Sequence, residues 1–502
     1  MIPAALLVAS IVCGCGTREP PRATVPAKPP TETAAPPLKF RDYNLVFVSF
    51  DALQARHVGA LGNPRNVTPT IDSVAEQGYC FNNVYSVASW TVPASMTWFT
   101  GVYPSEHRMT NKFALYTSTV QKPANLKELA PNLVTLAEVL KRAGYSTGGF
   151  TGNAGVSGGF GYQQGFDTYY FEPGKFGGFD QSIPKAIEWL TANKQKKFFL
   201  FLHGYDCHGQ HTPAHGFDYR YVDADYDRRY TGSELEQETL REEGLESGQL
   251  TLRDSDVRFW RAVYDEKINR ADTRFREFLA EFDKLGLSEK TLFVLTSDHG
   301  TELYEHRRLD HGFTLYDEQL HVPLIIKLPG HPLPGHNAGR KIADRVSSID
   351  LMPTILDLLD VVPADISPPD TDKAGINSAG IDMRDVKKQL RGTSLVPAMQ
   401  GEPARRNCFS ETDYREYTFK RSIIRPDGWK LIVTLETKSR ELYDLNTDPG
   451  ETSDLAASDP KLADDLQSQL FAHFQSIGCD LTHRQWSTGL NPVYPSQGKP
   501  RK

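Results

Sequence analysis

Residues Thr291 to Gly300 read TLFVLTSDHG, an apolar run that stops on Asp298 and His299. A short, continuously apolar segment of this kind fits a strand covered on both faces. Three more runs share the form: NLVFVSFD ends at Asp51, KKFFLFLH runs to His203, and HVPLIIKL begins at His321. Between them, Leu133, Leu136, Val139 and Leu140, and later Ile268, Ala271, Phe275, Phe278, Leu279 and Phe282, recur at spacings of three and four. That spacing gives each segment one apolar helical face. Strands alternating with helices predict an α/β fold, a large, mostly parallel sheet sandwiched by helices. Its functional groups gather beyond the carboxyl ends of the strands, where Asp51, His203, Asp298 and His299 all fall.

The pattern changes near Gly392. Ile423 to Val433 and ELYDL at Glu441 to Leu445 read as short strands around turns, and Lys461 to Ile477 as one amphipathic helix. The expected organisation is a catalytic body over residues 41–400, a smaller C-terminal α+β subdomain over 401–482, and a loose tail over 483–502. Pro363 to Asp385 reads as a surface loop, and Arg220 to Val257 as a loop region that would set specificity.

The first residues, MIPAALLVASIVCGCG, form a short apolar run ending in small residues, the pattern of an export signal. It is too short to span a bilayer. Val12-Cys13-Gly14-Cys15 resembles a bacterial lipobox, which points to residues 1–15 as a lipoprotein-type signal peptide and to Cys15 as the lipidated residue. Residues 16–40 are rich in Pro, Thr and Ala and read as an extended spacer. The expected location is the bacterial cell envelope, on its periplasmic side or surface. Beyond the spacer lie Cys80, Cys207, Cys408 and Cys479, which could pair in three ways and have no zinc-site spacing.

The 502 residues are 39% hydrophobic and 24% charged, enough for at least one large core. With a net charge of −7, the chain has no basic footprint for nucleic acid. An anionic substrate must therefore be attracted locally.

Asp298 and His299 offer an oxygen and an imidazole nitrogen at one strand end, and Asp51 adds a carboxylate at another. Three such donors suit a divalent cation: zinc, manganese or calcium. In SWTVPASMTWFTG, Thr91 precedes Pro93 at a helix start, where free N–H groups favour a phosphate or sulfate; local sequence alone makes Thr91 an N-cap. FLFLHGYDCHGQH supplies His203, Asp206, His208 and His211, and EHRRLDHGFTLYDE adds His306 and His311. Several histidines near one rim suit a general acid, an anion binder or a second-metal ligand.

The segments NLVFVSFDAL, TPTIDSVAEQGYCFNNVYS, TVPASMTWFTGVYPSEH, TLAEVLKRAGYSTGGF, FLFLHGYDCH, TLFVLTSDHGTELYEH, HVPLIIKLPG, SSIDLMPTILDLL, GTSLVPAMQG and ELYDLNTDPGETSDLA occur in the order seen in the sulfatase family of the alkaline phosphatase superfamily. The resemblance runs from about Tyr43 to Ala456. It implies one divalent metal held by Asp51, Asp298 and His299, with the nucleophile position, Thr91, as a further ligand. It also places His208 and His311 near the scissile ester and leaving group. Four positions depart from the family pattern. Its second aspartate is Ala52, the residue after DHG is Thr301, and the motif Cys or Ser-x-Pro-Ser-Arg reads Thr91-Val92-Pro93-Ala94-Ser95. TGN at Thr151 to Asn153 replaces the Lys-Trp-His segment.

Sulfatases oxidise the Cys or Ser of that motif to formylglycine. Threonine is a secondary alcohol and cannot give the aldehyde, so no formylglycine is expected. Threonine-bearing relatives in the superfamily cleave or transfer phosphoesters. The expectation is a metal-dependent hydrolase of sulfuric or phosphoric esters of small molecules, glycans or lipids, with Thr91 favouring phosphoesters and phosphodiesters. A second metal at Asp206, His208 and His311 is a further option. The alternatives are an envelope phospho-headgroup transferase and a non-catalytic binder of sulfated or phosphorylated glycans.

Overall fold

Strand β1 (Asn44–Phe50) is buried along its whole length, and its side chains divide between two cores. Leu45 and Phe47 join Trp98, Phe99 and Leu136 on one face, while Val46, Val48 and Phe50 join Phe179, Phe275 and Phe282 on the other. This is the two-residue period of a strand with no wet face, and each large apolar side chain so buried contributes about 1.5–3 kcal/mol. The computed structural model describes residues 38–109, 129, 133–157, 160–173, 176–209, 211–212, 216–330, 339–362, 386–414 and 418–482. The leader with Cys15, the spacer up to residue 37, the segment 363–385 and the tail 483–502 lie outside them.

Further strands are β2 (Tyr79–Tyr85), β3 (Ser146–Thr151), β4 (Thr168–Phe171), β5 (Phe198–Gly204), β6 (Thr291–Ser297), β7 (Glu302–Leu303), β8 (Leu309–Asp310), β9 (His321–Lys327) and β10 (Arg340–Ser347). Eight strands form one sheet in the order β10-β2-β9-β6-β1-β5-β3-β4. The β1 strand runs parallel to β5 and β6, whereas β9 runs antiparallel to both β2 and β6. The expected mostly parallel sheet is present, with HVPLIIKL as its reversed strand. Helices Pro69–Glu76, Phe179–Asn193 and Asp254–Lys284 cover one face; Thr91–Thr100, Leu136–Arg142 and Leu351–Leu358 cover the other. Register then assembles the rim. Phe50 lies opposite both Gly204 and Ser297, so Asp51 and Asp298 emerge side by side, with His203 opposite Ser49 two residues before Asp51.

The smaller C-terminal part is an antiparallel sheet of β11 (Cys408–Tyr414), β12 (Thr418–Ile424), β13 (Trp429–Thr434) and β14 (Ser439–Asp444), in that order. Helix Pro460–Ser476 packs Ala463, Leu466, Leu470 and Phe474 against Ile423, Leu431, Val433 and Leu442. Hydrogen bonds from Ser410 to the Ser86 carbonyl and from Thr412 to the Gly312 carbonyl, each 2.6 Å, join it to the larger sheet.

The Arg220 to Val257 segment, expected as a loop, contains helix Glu234–Ser247 and the first turn of helix Asp254–Lys284. Its apolar residues Tyr226, Leu240 and Leu250 fold onto Phe259 and Trp260, which a solvated loop would not do. Cys80, Cys207 and Cys408 are buried free thiols, and Cys479 is buried as well. No helix among the described residues is long and apolar enough to cross a membrane.

Candidate active site

The rim turns sharply after β1. Ala52 sits in the left-handed region at φ 57°, which costs a non-glycine residue of order 1–3 kcal/mol. The turn is held from both sides: Ala52 N–H donates to Asp298 Oδ1 at 3.0 Å, and the Tyr264 hydroxyl donates to the Ala52 carbonyl at 2.6 Å. Gly300 N–H donates to the Gln319 carbonyl at 2.9 Å. These bonds fix Asp51, Asp298 and His299 as a fully buried trio whose donor atoms lie within 4.8 Å of one another.

Thr91 completes the centre. The expected N-cap role falls to Trp90, whose side chain caps nothing, and Thr91 is the first residue of the helix. Its hydroxyl lies 3.2 Å from Asp51 Oδ2 and 3.2 Å from His299 Nε2. His299 Nδ1 donates to the Gly300 carbonyl at 2.6 Å, which leaves the Nε2 lone pair facing Thr91. Asp298 Oδ2 lies 3.4 Å from the same nitrogen. Spacings of 3.2 to 3.4 Å between successive donors match the edges of a coordination shell with ligand distances of about 2.0–2.2 Å. Asp51 Oδ1 and Asp298 Oδ2 are buried without a hydrogen-bond partner. Both observations fit a divalent cation.

The electrostatics point the same way. Burial, then the Asp298 charge, push the Asp51 carboxyl well above the usual carboxylate range. Burial also opposes ionisation of Asp298, but His299 and His203 outweigh it and hold that carboxyl low. Burial lowers His299 and takes His203 down to about 4. His203 Nε2 lies 3.4 Å from Asp51 Oδ2, beside the trio.

His208 and His311 lie beside this centre. The His311 ring centroid is 4.2 Å from that of His299 and 4.9 Å from that of His208. Asp310 Oδ1 lies 2.6 Å from His311 Nδ1, and Arg241 is 3.5 Å from the other Asp310 oxygen. Burial would raise Asp310, but His311 and Arg241 hold it far below the usual range, so a permanent carboxylate orients His311.

Asp206 does not join them. Its carboxylate accepts from Phe179 N–H at 2.8 Å in the first turn of helix Phe179–Asn193, and His211 serves as its charge partner. Among the described residues, the convergent donor groups are Asp51-Asp298-His299 and Glu302-His306-Glu318, so the second metal at Asp206, His208 and His311 is not formed. His306 belongs to that other group.

Two contributors carry no motif signal. Lys267 is fully buried and donates to the carbonyls of His208 and Gly209 at 3.0 and 2.8 Å, pinning the turn that carries His208. Burial brings its ammonium down to about 7. A lysine directly beside the apolar stripe residue Ile268 was the one available hint. The other is Gly155, where a Cβ would meet Thr91 Cγ2 at 2.7 Å. Gly155→Ala is therefore expected to lower turnover at least about tenfold and the melting temperature by a few degrees, since crowding of this kind costs about 1–3 kcal/mol of stability. Adding Thr91→Ser, which removes Cγ2, should recover part of the loss; steady-state kinetics of the three proteins checks this.

The sulfatase family profile matches residues 43–361. The chain is 25% identical over 501 residues to the Delta 4,5-hexuronate-2-O-sulfatase of Bacteroides thetaiotaomicron, covering 91% of this chain and 95% of that protein. It is 24% identical over 478 residues to the multifunctional alkaline phosphatase superfamily protein PehA of Trinickia caryophylli, covering 79% and 86%. Its fold is similar to that of the phosphonate monoester hydrolase of Agrobacterium radiobacter, with a TM-score of 0.63 at 20% identity, covering 87% and 96%. A family match across more than half of the chain, a sheet of this topology and a convergent acid-and-imidazole metal site lead to one assignment: the chain belongs to the sulfatase family of the alkaline phosphatase superfamily and is an ester hydrolase.

Proposed function

We propose that this enzyme attacks anionic esters with the Thr91 hydroxyl and prefers phosphoric esters and diesters, phosphonates included, to sulfate esters. The observation that carries this reading is the Thr91 hydroxyl, 3.2 Å from both Asp51 Oδ2 and His299 Nε2 at the start of a helix. Asp51, Asp298 and His299, with Thr91, would hold the divalent ion, which when bound supplies Lewis-acid stabilisation and favours ionisation of the hydroxyl.

The chain's own groups do the rest. Thr91 Oγ1 bonds to phosphorus as the bond to the leaving oxygen breaks, and an imidazolium of His311 or His208 gives that oxygen its proton. Water then bonds to phosphorus as the P–Oγ1 bond breaks, giving its proton to the same imidazole, releasing the phosphate product and returning Thr91 Oγ1 as the ionised hydroxyl. Asp310 and Arg241 keep His311 oriented, while Lys267 does so for His208. The first-turn N–H groups of helix Thr91–Thr100 face the anion.

The chemistry of threonine favours phosphorus over sulfur. A formylglycine hydrate releases sulfate by breaking a C–O bond, a route closed to a threonyl sulfate, which would need direct hydrolysis. The relative named for a hexuronate sulfate supports a glycan ester as the substrate class. We further propose that the catalytic body spans residues 41–400, that residues 401–482 form its subdomain, and that a lipid on Cys15 tethers both to the bacterial envelope.

The test is a panel of aryl phosphate monoester, phosphodiester, phosphonate ester and sulfate ester assayed with metal-reconstituted protein. A phosphorus ester should exceed the sulfate in kcat/KM by at least about a hundredfold, roughly 2.7 kcal/mol of transition-state discrimination. A sulfate ester as the best substrate would overturn the preference.

A further inference from the structure

A second set of donors converges away from Thr91. One carboxylate oxygen each of Glu302 and Glu318 and one imidazole nitrogen of His306 lie within 4.8 Å of one another. Both glutamates are buried, at 0% and 2% exposure. Glu302 Oε1 accepts from the N–H groups of His306 and Arg308 at 2.9 and 2.8 Å, while Oε2 has no hydrogen-bond partner. Glu302 makes no ion pair among the described residues. Neighbouring cations are committed elsewhere: Lys430 sits 2.9 Å from Asp317 and 2.7 Å from Glu451, and Arg261 reaches Glu305 at 3.6 Å. A buried carboxylate oxygen in this position needs a proton or a metal ion.

The histidine is oriented for the second choice. Its Nε2 donates to the Glu451 carbonyl at 3.0 Å, and its Nδ1 is held by a hydrogen bond to Glu318 Oε1 at 2.7 Å, so both candidate ligand atoms meet at one point. A carbonyl on the far ring nitrogen is how proteins fix the tautomer of a metal-binding imidazole. The ring is also clamped by stacking on Tyr316, 3.6 Å between centroids.

We propose that Glu302, His306 and Glu318 bind a second divalent cation, zinc or manganese by their nitrogen-and-carboxylate donor set. In the metal-free protein, burial and then Glu318 push Glu302 up to about 8; at His306 burial works against the charge, but Glu318 lifts the ring to about 9. Glu302 pairs across the β7–β8 hairpin with Asp310, the residue that orients His311, so the ion braces that hairpin without touching the reacting atoms.

The test is metal stoichiometry of the full chain, stripped with chelator, reloaded with Mn²⁺ or with Zn²⁺ in separate samples, and freed of excess by gel filtration. Two equivalents per chain are expected for the wild type by elemental analysis. Asp298→Asn, Glu302→Gln and His306→Gln should each retain one, and Asp298→Asn with Glu302→Gln none. One wild-type equivalent that Asp298→Asn removes and Glu302→Gln keeps would overturn the second site, as would a wild type that binds none. One equivalent removed by Glu302→Gln and kept by Asp298→Asn would uphold this site and remove the Thr91 centre. Should Glu302→Gln fail to fold, the count for Asp298→Asn decides: one equivalent upholds the site, and none overturns it.

Discussion

Thr91→Ala is expected to lower kcat/KM on the best phosphorus ester by roughly ten-thousandfold or more, the scale of loss when a nucleophile is removed. Folding should barely notice. The Thr91 hydroxyl caps no helix, and its hydrogen bonds run to Asp51 and His299 within the centre. A lost bond of this kind is worth about 1 kcal/mol. Thr91→Ser keeps the hydroxyl and should retain activity within about a hundredfold, the loss reflecting freer rotation about χ1. Steady-state kinetics and thermal melts of the two variants check the pair. Thr91→Ala with more than a tenth of wild-type activity would mean that the attacking oxygen comes from elsewhere.

The second large effect separates catalysis from stability. Asp51→Asn preserves shape and removes the buried carboxyl whose charged form burial and the Asp298 charge disfavour in the metal-free protein. The variant should bind one metal equivalent fewer and lose roughly a thousandfold in activity, because its centre lacks an anionic ligand. Without metal, however, it should melt above the metal-free wild type. Metal at a hundredfold excess over its Kd stabilises a folded protein by about 2.7 kcal/mol per site, so the wild type should gain more from reloading than the variant. Calorimetry with and without metal reads both effects. A metal-free variant that melts lower, with an unchanged response to metal, would contradict the reading of Asp51 as a ligand.

The parts legible in the sequence were those where one physical requirement dominated. NLVFVSFD, KKFFLFLH and TLFVLTSDHG announced buried strands because both of their faces are covered, and the polar residues closing them marked the rim. β2 was harder to see, since Asn82 and Asn83 interrupt YCFNNVY where the strand is half-buried. β3 hid behind Gly148 and Gly149, whose missing side chains leave room for the rings of Trp189 and Tyr169. β11, with Ser410, Glu411, Thr412 and Asp413 buried, is held by polar contacts such as Arg421 to Asp413 at 2.8 Å, which carry no apolar alternation.

At the site, Asp51, Asp298 and His299 could be grouped from strand ends alone, and the family resemblance singled out His208 and His311. Spacing could not show that Asp206 turns to a helix start while His306 joins Glu302 and Glu318. Asp206 and Phe179 are 27 residues apart and His306 and Glu318 are 12 apart, spacings that follow neither helix nor strand period, and only the packed structure brings them together. Thr91 was ambiguous for a related reason. An N-cap and a nucleophile at the first helical position share one local sequence, and the direction of the hydroxyl separates them.

The central claim is that an ester bond is exchanged for a bond to Thr91 Oγ1. Its most direct test is to quench the metal-loaded enzyme with acid during turnover of an aryl phosphodiester and map the modified peptide by mass spectrometry. The account expects a phosphoryl ester on Thr91 in the wild type and none in Thr91→Ala. Rapid wild-type turnover with an unmodified Thr91, or an adduct on another residue, would contradict it.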